Sequence, residues 1–158
     1  MTTPFHIEAI GEIAQDQDST FIRIFDQYLP GLTGIEDFSH LQIVWWGHLA
    51  DEPENRSKLI LNRLFKKAPD RMGIFSTRAP GRPNPILLTT IKVKDIDLKE
   101  GTIFPQFIDA EPGTPVLDIK PYYPMERVRD CRVPQWCAHW PQWAEETAGY
   151  DWSGEMNL

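Results

Sequence analysis

The chain has 158 residues, 41% of them hydrophobic, with 14 Pro and a formal net charge of -7, which fits one globular domain with an ordinary core and leaves little room for two. Six Trp, eight Phe and four Tyr exclude intrinsic disorder, the short apolar runs exclude a membrane span, and the start Met1 to His6 lacks the basic and apolar segments of a secretory signal. Two Cys are too few for a disulfide framework, so a reducing cytoplasm is the expected compartment, and the acidic balance argues against a general nucleic-acid binder.

Ile7 to Ile13 alternates Ile7, Ala9, Gly11 and Ile13 with Glu8, Ile10 and Glu12, as a half-buried strand does. The polar run Gln15-Asp16-Gln17-Asp18-Ser19 reads as a turn, and Phe21 to Tyr28, apolar on both faces, as the returning strand of a hairpin. Leu41 to Trp46 is a third strand, in which Trp45 and Trp46 must point to opposite faces, one into the core and one toward an opening or a partner. Asp51 to Asp70 reads as one short helix or irregular excursion: Leu59, Ile60, Leu64 and Phe65 fit a helical stripe, while Leu59-Ile60-Leu61 also suits a strand. Strands resume at Met72 to Ser76, Ile86 to Ile96, Ile103 to Ala110 and Val116 to Ile119, with a hairpin loop from Asp97 to Thr102. Beyond Met125, Trp136, Trp140, Trp143 and Trp152 stand among Pro134, Pro141 and Gly149, a pattern of loops and one short helix laid against the body through Trp rings. Short strands with Pro-rich turns predict a mainly β domain, a barrel or strongly curved sheet.

The acidic average conceals an asymmetry. Arg56 to Lys94 holds ten basic residues and one acid, Asp70, against six bases and 22 acids elsewhere. That surplus either attracts an anionic substrate or lies on solvated strand and loop faces. Within it, Pro80, Pro83 and Pro85 stiffen the loop Ser76 to Ile86, so that Arg78 and Arg82 can present planar donor forks to a carboxylate or phosphate, or pair with nearby acids at a sheet edge. A second segment, Asp109 to Tyr122, runs through a Pro112-Gly113 turn. Its Gly113 and Thr114 N–H groups are candidates for the polar edge of a ligand. Asp118 and Lys120 share one strand face, as a surface ion pair or an acid/base pair at a pocket mouth. Cys131 and Cys137 match no usual close zinc-ligand spacing, so no metal site is expected; there is no Gly-x-Ser-x-Gly elbow and no Gly-rich phosphate loop.

Phe38-Ser39-His40-Leu41, Arg71-Met72-Gly73-Ile74-Phe75-Ser76-Thr77-Arg78, Arg82-Pro83-Asn84-Pro85-Ile86 and Gly113-Thr114-Pro115-Val116-Leu117-Asp118-Ile119-Lys120-Pro121-Tyr122 together resemble the TsaA-like (TrmO, YaeB) family over about residues 5–123. The resemblance implies a TsaA-like β-barrel with short peripheral helices, carried in a single unit over residues 1–158 with a Trp-rich extension over about 124–158. It also implies a homodimeric S-adenosylmethionine-dependent methyltransferase that methylates N6 of the threonylcarbamoyl-adenosine beside the tRNA anticodon; no membrane or metal partner is expected from the run lengths and Cys spacing above. By the same resemblance the cofactor falls to His48, Leu49, Arg78, Leu88, Glu111, Pro112, Gly113 and Thr114. Asp118 is then the base near the methyl, with Lys120 beside it, and Arg82, Asn84 and Tyr122 meet the anionic substrate.

Three differences from fuller family members stand out. The turn Gln15 to Thr20 replaces a Pro-Arg-Gln-Pro-Gly element, Leu87 stands where a Gly is usual, and the separate C-terminal domain is expected to be missing. Methylation of a small molecule, and a non-catalytic module that holds S-adenosylmethionine or RNA, are the alternative functions.

Overall fold

A computed structural model describes residues 6–157; residues 1–5, which include the expected start of the barrel, and residue 158 lie outside that description. β1 (Gly11–Gln15) and β2 (Thr20–Ile24) form the N-terminal hairpin, with Ile13 opposite Ile22. Asp16 closes its turn by accepting the N–H groups of Asp18 at 2.9 Å and Ser19 at 2.7 Å, the local bonding that suits Asp to such positions. The chain continues through β3 (His40–Trp46), α1 (Pro53–Ser57), β4 (Ile60–Asn62), β5 (Arg71–Gly73), β6 (Ile86–Asp97), β7 (Thr102–Pro105) and β8 (Pro115–Pro121). Six strands close an antiparallel barrel in the order β1-β2-β7-β6-β3-β8, and β4 with β5 makes a separate ribbon.

The barrel is filled by the inward residues of these strands. Ile13, Ile22, Leu41, Ile43, Ile91, Ile103 and Val116 are each at most 1% exposed, and burying each such side chain contributes about 1.5–3 kcal/mol before conformational entropy is subtracted. Closure is uneven, however. β6 pairs with β3 from Ile86 to Lys92, while β7 joins its other edge only from Val93 onward. β7 stops at Pro105, which has no N–H to extend the ladder. The chain from Gln106 to Asp109 passes the open edge instead, with Gln106 N–H donating to the Lys92 carbonyl at 2.8 Å.

Several element boundaries depart from expectation for identifiable reasons. β1 begins at Gly11: the Ile10 N–H still donates to the Val116 carbonyl and the Ile10 carbonyl accepts the Phe25 N–H, but Ile7 lies beyond those contacts at 47% exposure. β2 ends at Ile24, and Asp26–Leu32 forms a 3-10 turn around Pro30. The helical stripe from Leu59 to Phe65 does not form: α1 lies upstream, Ile60 belongs to β4, and the strand reading of Leu59-Ile60-Leu61 is the one realised. β5 gives way to a 3-10 turn at Ile74–Ser76. Trp45 points into the core at 9% exposure, while Trp46 points outward, donates Nε1–H to Asp51 at 2.8 Å and carries the Arg56 guanidinium 5.4 Å from its ring centre.

The C-terminal extension is a series of 3-10 turns rather than one helix. It docks on the loop between β4 and β5: Phe65 stacks on Trp136 at 5.2 Å and meets Trp140 edge-on at 5.1 Å, and Trp140 meets Trp152 at 5.2 Å. Trp143 stays outside this cluster at 66% exposure, contrary to the expectation that the extension docks through all its Trp rings.

Candidate functional site

After β3 the chain reverses at Gly47 and a 3-10 turn, His48–Ala50. Gly47 N–H donates to the Pro85 carbonyl at 2.7 Å, which ties this turn to the start of β6. Facing it is the turn Glu111 to Thr114, where Gly113 takes φ 85°, a left-handed conformation that favours glycine. Thr114 is 1% exposed, and its Oγ1 lies 3.3 Å from His48 Nδ1. His48, Leu49, Glu111 and Thr114 thereby converge on one cavity of about 310 Å³, completed by Trp45, Gly47, Ala50, Pro80 and Asp109. Pro112 and Gly113 shape the turn without lining the cavity. One expectation is corrected here: the Gly113 and Thr114 N–H groups already donate to Ile13 and Glu111 carbonyls, at 2.7 and 3.1 Å, and are not free for a ligand.

The cavity is apolar-walled, and the carboxylates in its lining are negative. Its charged lining residues are Asp109 and Glu111, and no Lys or Arg lines it. Trp45 Nε1–H donates to Thr89 Oγ1 at 3.0 Å, and the Thr89 hydroxyl donates to Asp109 Oδ1 at 2.6 Å. Asp109 and Thr89 are the site residues that sequence reasoning passed over. The available signal was Asp109 standing between Ile108 and Ala110, each 7% exposed, so that a carboxylate sits at a core boundary.

The remaining expected site residues fall into three other places. Arg78 donates to the Leu88 carbonyl at 2.5 Å, on the open edge of β6, while the Leu88 side chain faces outward at 42% exposure. Arg82 donates to the carbonyls of Ile74 at 3.1 Å and Thr77 at 2.9 Å; both arginines brace backbone, and among the described residues neither pairs with an acid. Arg82 and Asn84 line a separate cavity of about 420 Å³ with Phe75, Thr77, Pro83 and Ile86. Asp118 and Lys120 stand on β8 opposite Val44 and Gln42, and Tyr122 N–H follows by donating to the His40 carbonyl at 3.1 Å. Lys120 Nζ is 2.6 Å from Asp118 Oδ2 with the two side chains 61% and 48% exposed, and the hydrogen bond to Asp118 holds the ammonium above its usual range. The two side chains make an exposed ion pair, and neither lines the Trp45 cavity. Among the described residues no three His, Cys, Asp or Glu side chains cluster to hold a metal, and no helix is long and apolar enough to cross a membrane.

This barrel has clear relatives among known proteins. Residues 5–126 match the family described as the tRNA-methyltransferase O N-terminal domain. The chain belongs to that family. A probable S-adenosyl-L-methionine-binding protein of Methanocaldococcus jannaschii is 34% identical over 116 residues, 73% of this chain and 90% of the relative. The human tRNA (adenine(37)-N6)-methyltransferase is 41% identical over 100 residues, 63% of this chain and 22% of the human protein. The crystal structure of TrmO from Pseudomonas aeruginosa superposes with a TM-score of 0.62 at 24% identity, covering 82% of this chain. This chain spans 62% of that one, and the likeness establishes the shared barrel fold.

Proposed function

We propose that this chain is an S-adenosylmethionine-dependent methyltransferase that acts on an adenosine nitrogen of tRNA, the N6 position of threonylcarbamoyl-adenosine beside the anticodon. The observation that carries the reading is the Trp45 cavity: apolar walls, two carboxylates and no lining cation suit a ligand that is part nucleoside and part cation. When bound, the sulfonium supplies an activated methyl. The chain's own part is positional: Trp45 walls the cavity from inside the barrel, Leu49 lines its rim, His48 and Thr114 hold the two turns together, and Asp109 and Glu111 favour positive charge at the mouth. Arg78 and Leu88 border the same open edge of β6, and the turn Glu111-Pro112-Gly113-Thr114 frames the ligand. Arg82, Asn84 and Tyr122 meet the substrate, Asp118 takes the acceptor's proton and Lys120 faces the phosphates. The names of the archaeal and human relatives support both halves of the reading.

The protein works in the cytoplasm as a homodimer in this reading. Phe75, Ile86 and Leu88 are 81%, 38% and 42% exposed, an apolar strip that a second copy would cover. Calorimetric titration with S-adenosylmethionine tests the cofactor: binding is expected, and no heat at millimolar ligand rejects the reading. Mass spectrometry of tRNA nucleosides from a deletion strain tests the acceptor, since an unchanged methylated threonylcarbamoyl-adenosine peak rules it out. Binding combined with an unchanged peak favours the small-molecule or non-catalytic reading.

A further inference from the structure

We infer that Asp109 is the residue that reads the positive charge of the ligand in the Trp45 cavity, so that a sulfonium is held more tightly than the neutral thioether left after methyl transfer. The inference rests on the cofactor reading above and goes beyond it in assigning the discrimination to one side chain and its supports.

The direction of the hydrogen-bond chain carries the argument. An indole Nε1–H can only donate, so Trp45 gives its proton to Thr89 Oγ1, and the hydroxyl proton is then directed onward to Asp109 Oδ1. Asp109 must therefore be an acceptor there, which an ionised carboxylate does best. Oδ1 is spent on Thr89, and among the described residues no hydrogen bond is made by Oδ2 and no ion pair is made by Asp109. Glu111, the other carboxylate at the cavity, has no side-chain hydrogen bond among the described residues to fix its direction. Asp109 is thus the carboxylate whose orientation the barrel sets, through a core Trp that is 9% exposed. Asp109 is exposed at the cavity mouth, so solvent screens part of its charge, but a carboxylate fixed and uncompensated beside an apolar wall still favours a cation over a neutral ligand of nearly the same shape. Discrimination of this kind works for turnover, because the product loses the charge that held the cofactor.

The test is a set of calorimetric titrations of the full chain with S-adenosylmethionine, with the demethylated thioether S-adenosylhomocysteine, and with the amine analogue in which a carbon bearing an ammonium group replaces the sulfonium sulfur and its methyl. Wild type is expected to prefer both cations over the thioether. Asp109→Asn keeps the acceptor for Thr89 and removes only the charge, so it should weaken the two cationic ligands by about fivefold and the thioether by less than about twofold. Thr89→Val, which frees Asp109 to turn away, should narrow the same preference part of the way. Equal losses for all three ligands, or no loss in Asp109→Asn, overturn the inference while leaving the cofactor reading intact. A wild-type chain that binds none of the three overturns both.

Discussion

The barrel and the C-terminal extension are held together by different chemistry. The barrel core is aliphatic, seven Ile, Leu and Val side chains at most 1% exposed and a backbone ladder around them. The extension is aromatic, with Phe65, Trp136, Trp140 and Trp152 meeting ring to ring at 5.1 to 5.3 Å around a single buried carboxylate, Glu155. His139 Nε2 lies 2.8 Å from that carboxylate and Tyr150 donates to it at 3.0 Å. The hydrogen bond with His139, ahead of the smaller effects of Trp140 and Tyr150, holds Glu155 down from 4.5 to about 2 against the opposing effect of desolvation. Apolar burial tolerates a wide pH range, whereas an arrangement centred on one ionised group does not. The candidate cavity belongs entirely to the barrel side of this division.

The largest expected effect is on the barrel. Ile43→Ala removes a fully buried side chain beside Trp45 and should cost about 2–5 kcal/mol in urea unfolding, taking ligand binding with it. Trp140→Ala should cost about 2–3 kcal/mol, less than a wholly buried Trp, because Trp140 is partly exposed. Limited proteolysis should then cut residues 134–157 first while the barrel's ligand binding survives; simultaneous loss of both would erase the division between the two regions.

Acid should act on the extension before the barrel core. A carboxyl whose folded value is depressed stabilises the fold above its unfolded value, so the contribution of Glu155 is complete above about 4.5 and disappears as pH falls toward 2. Trp fluorescence should report release of the extension across that window while far-ultraviolet dichroism of the strands persists. Asp16, lowered by the N–H bonds of Asp18 and Ser19, gives the first hairpin the same sign of dependence at an exposed turn. The smallest effect is Lys120→Ala: an exposed ion pair contributes little to stability, so the melting curve should not move. A lost methyl transfer in that variant with an unmoved melt would place Lys120 in the reaction, and an unmoved rate would leave it as surface.

The strands were legible wherever one face is buried and the other wet. β6 shows this best, since Ile91 is 1% exposed and Lys92 and Lys94 point to solvent as the alternation predicts. The His48-Leu49 and Glu111 to Thr114 segments were legible through family resemblance, and the structure brings four of those residues to one cavity. The ends of β1, β5 and β7 were not legible, because a strand lasts only as long as its partner, and partners lie far along the chain.

By itself the sequence determined the class of fold, the wet and dry faces of its strands, and the Asp16 and Gly113 turns, all of which rest on interactions within a few residues. Only the tertiary structure decided that Arg82 would be spent on the carbonyls of Ile74 and Thr77, that Asp118 would meet Lys120 outside the cavity, and that Asp109 would be aligned by Thr89 and Trp45. The reason is register: Thr89 is 20 residues from Asp109 and 44 from Trp45, and the pairing of β3 with β6 and the open edge beyond β7 bring the three together.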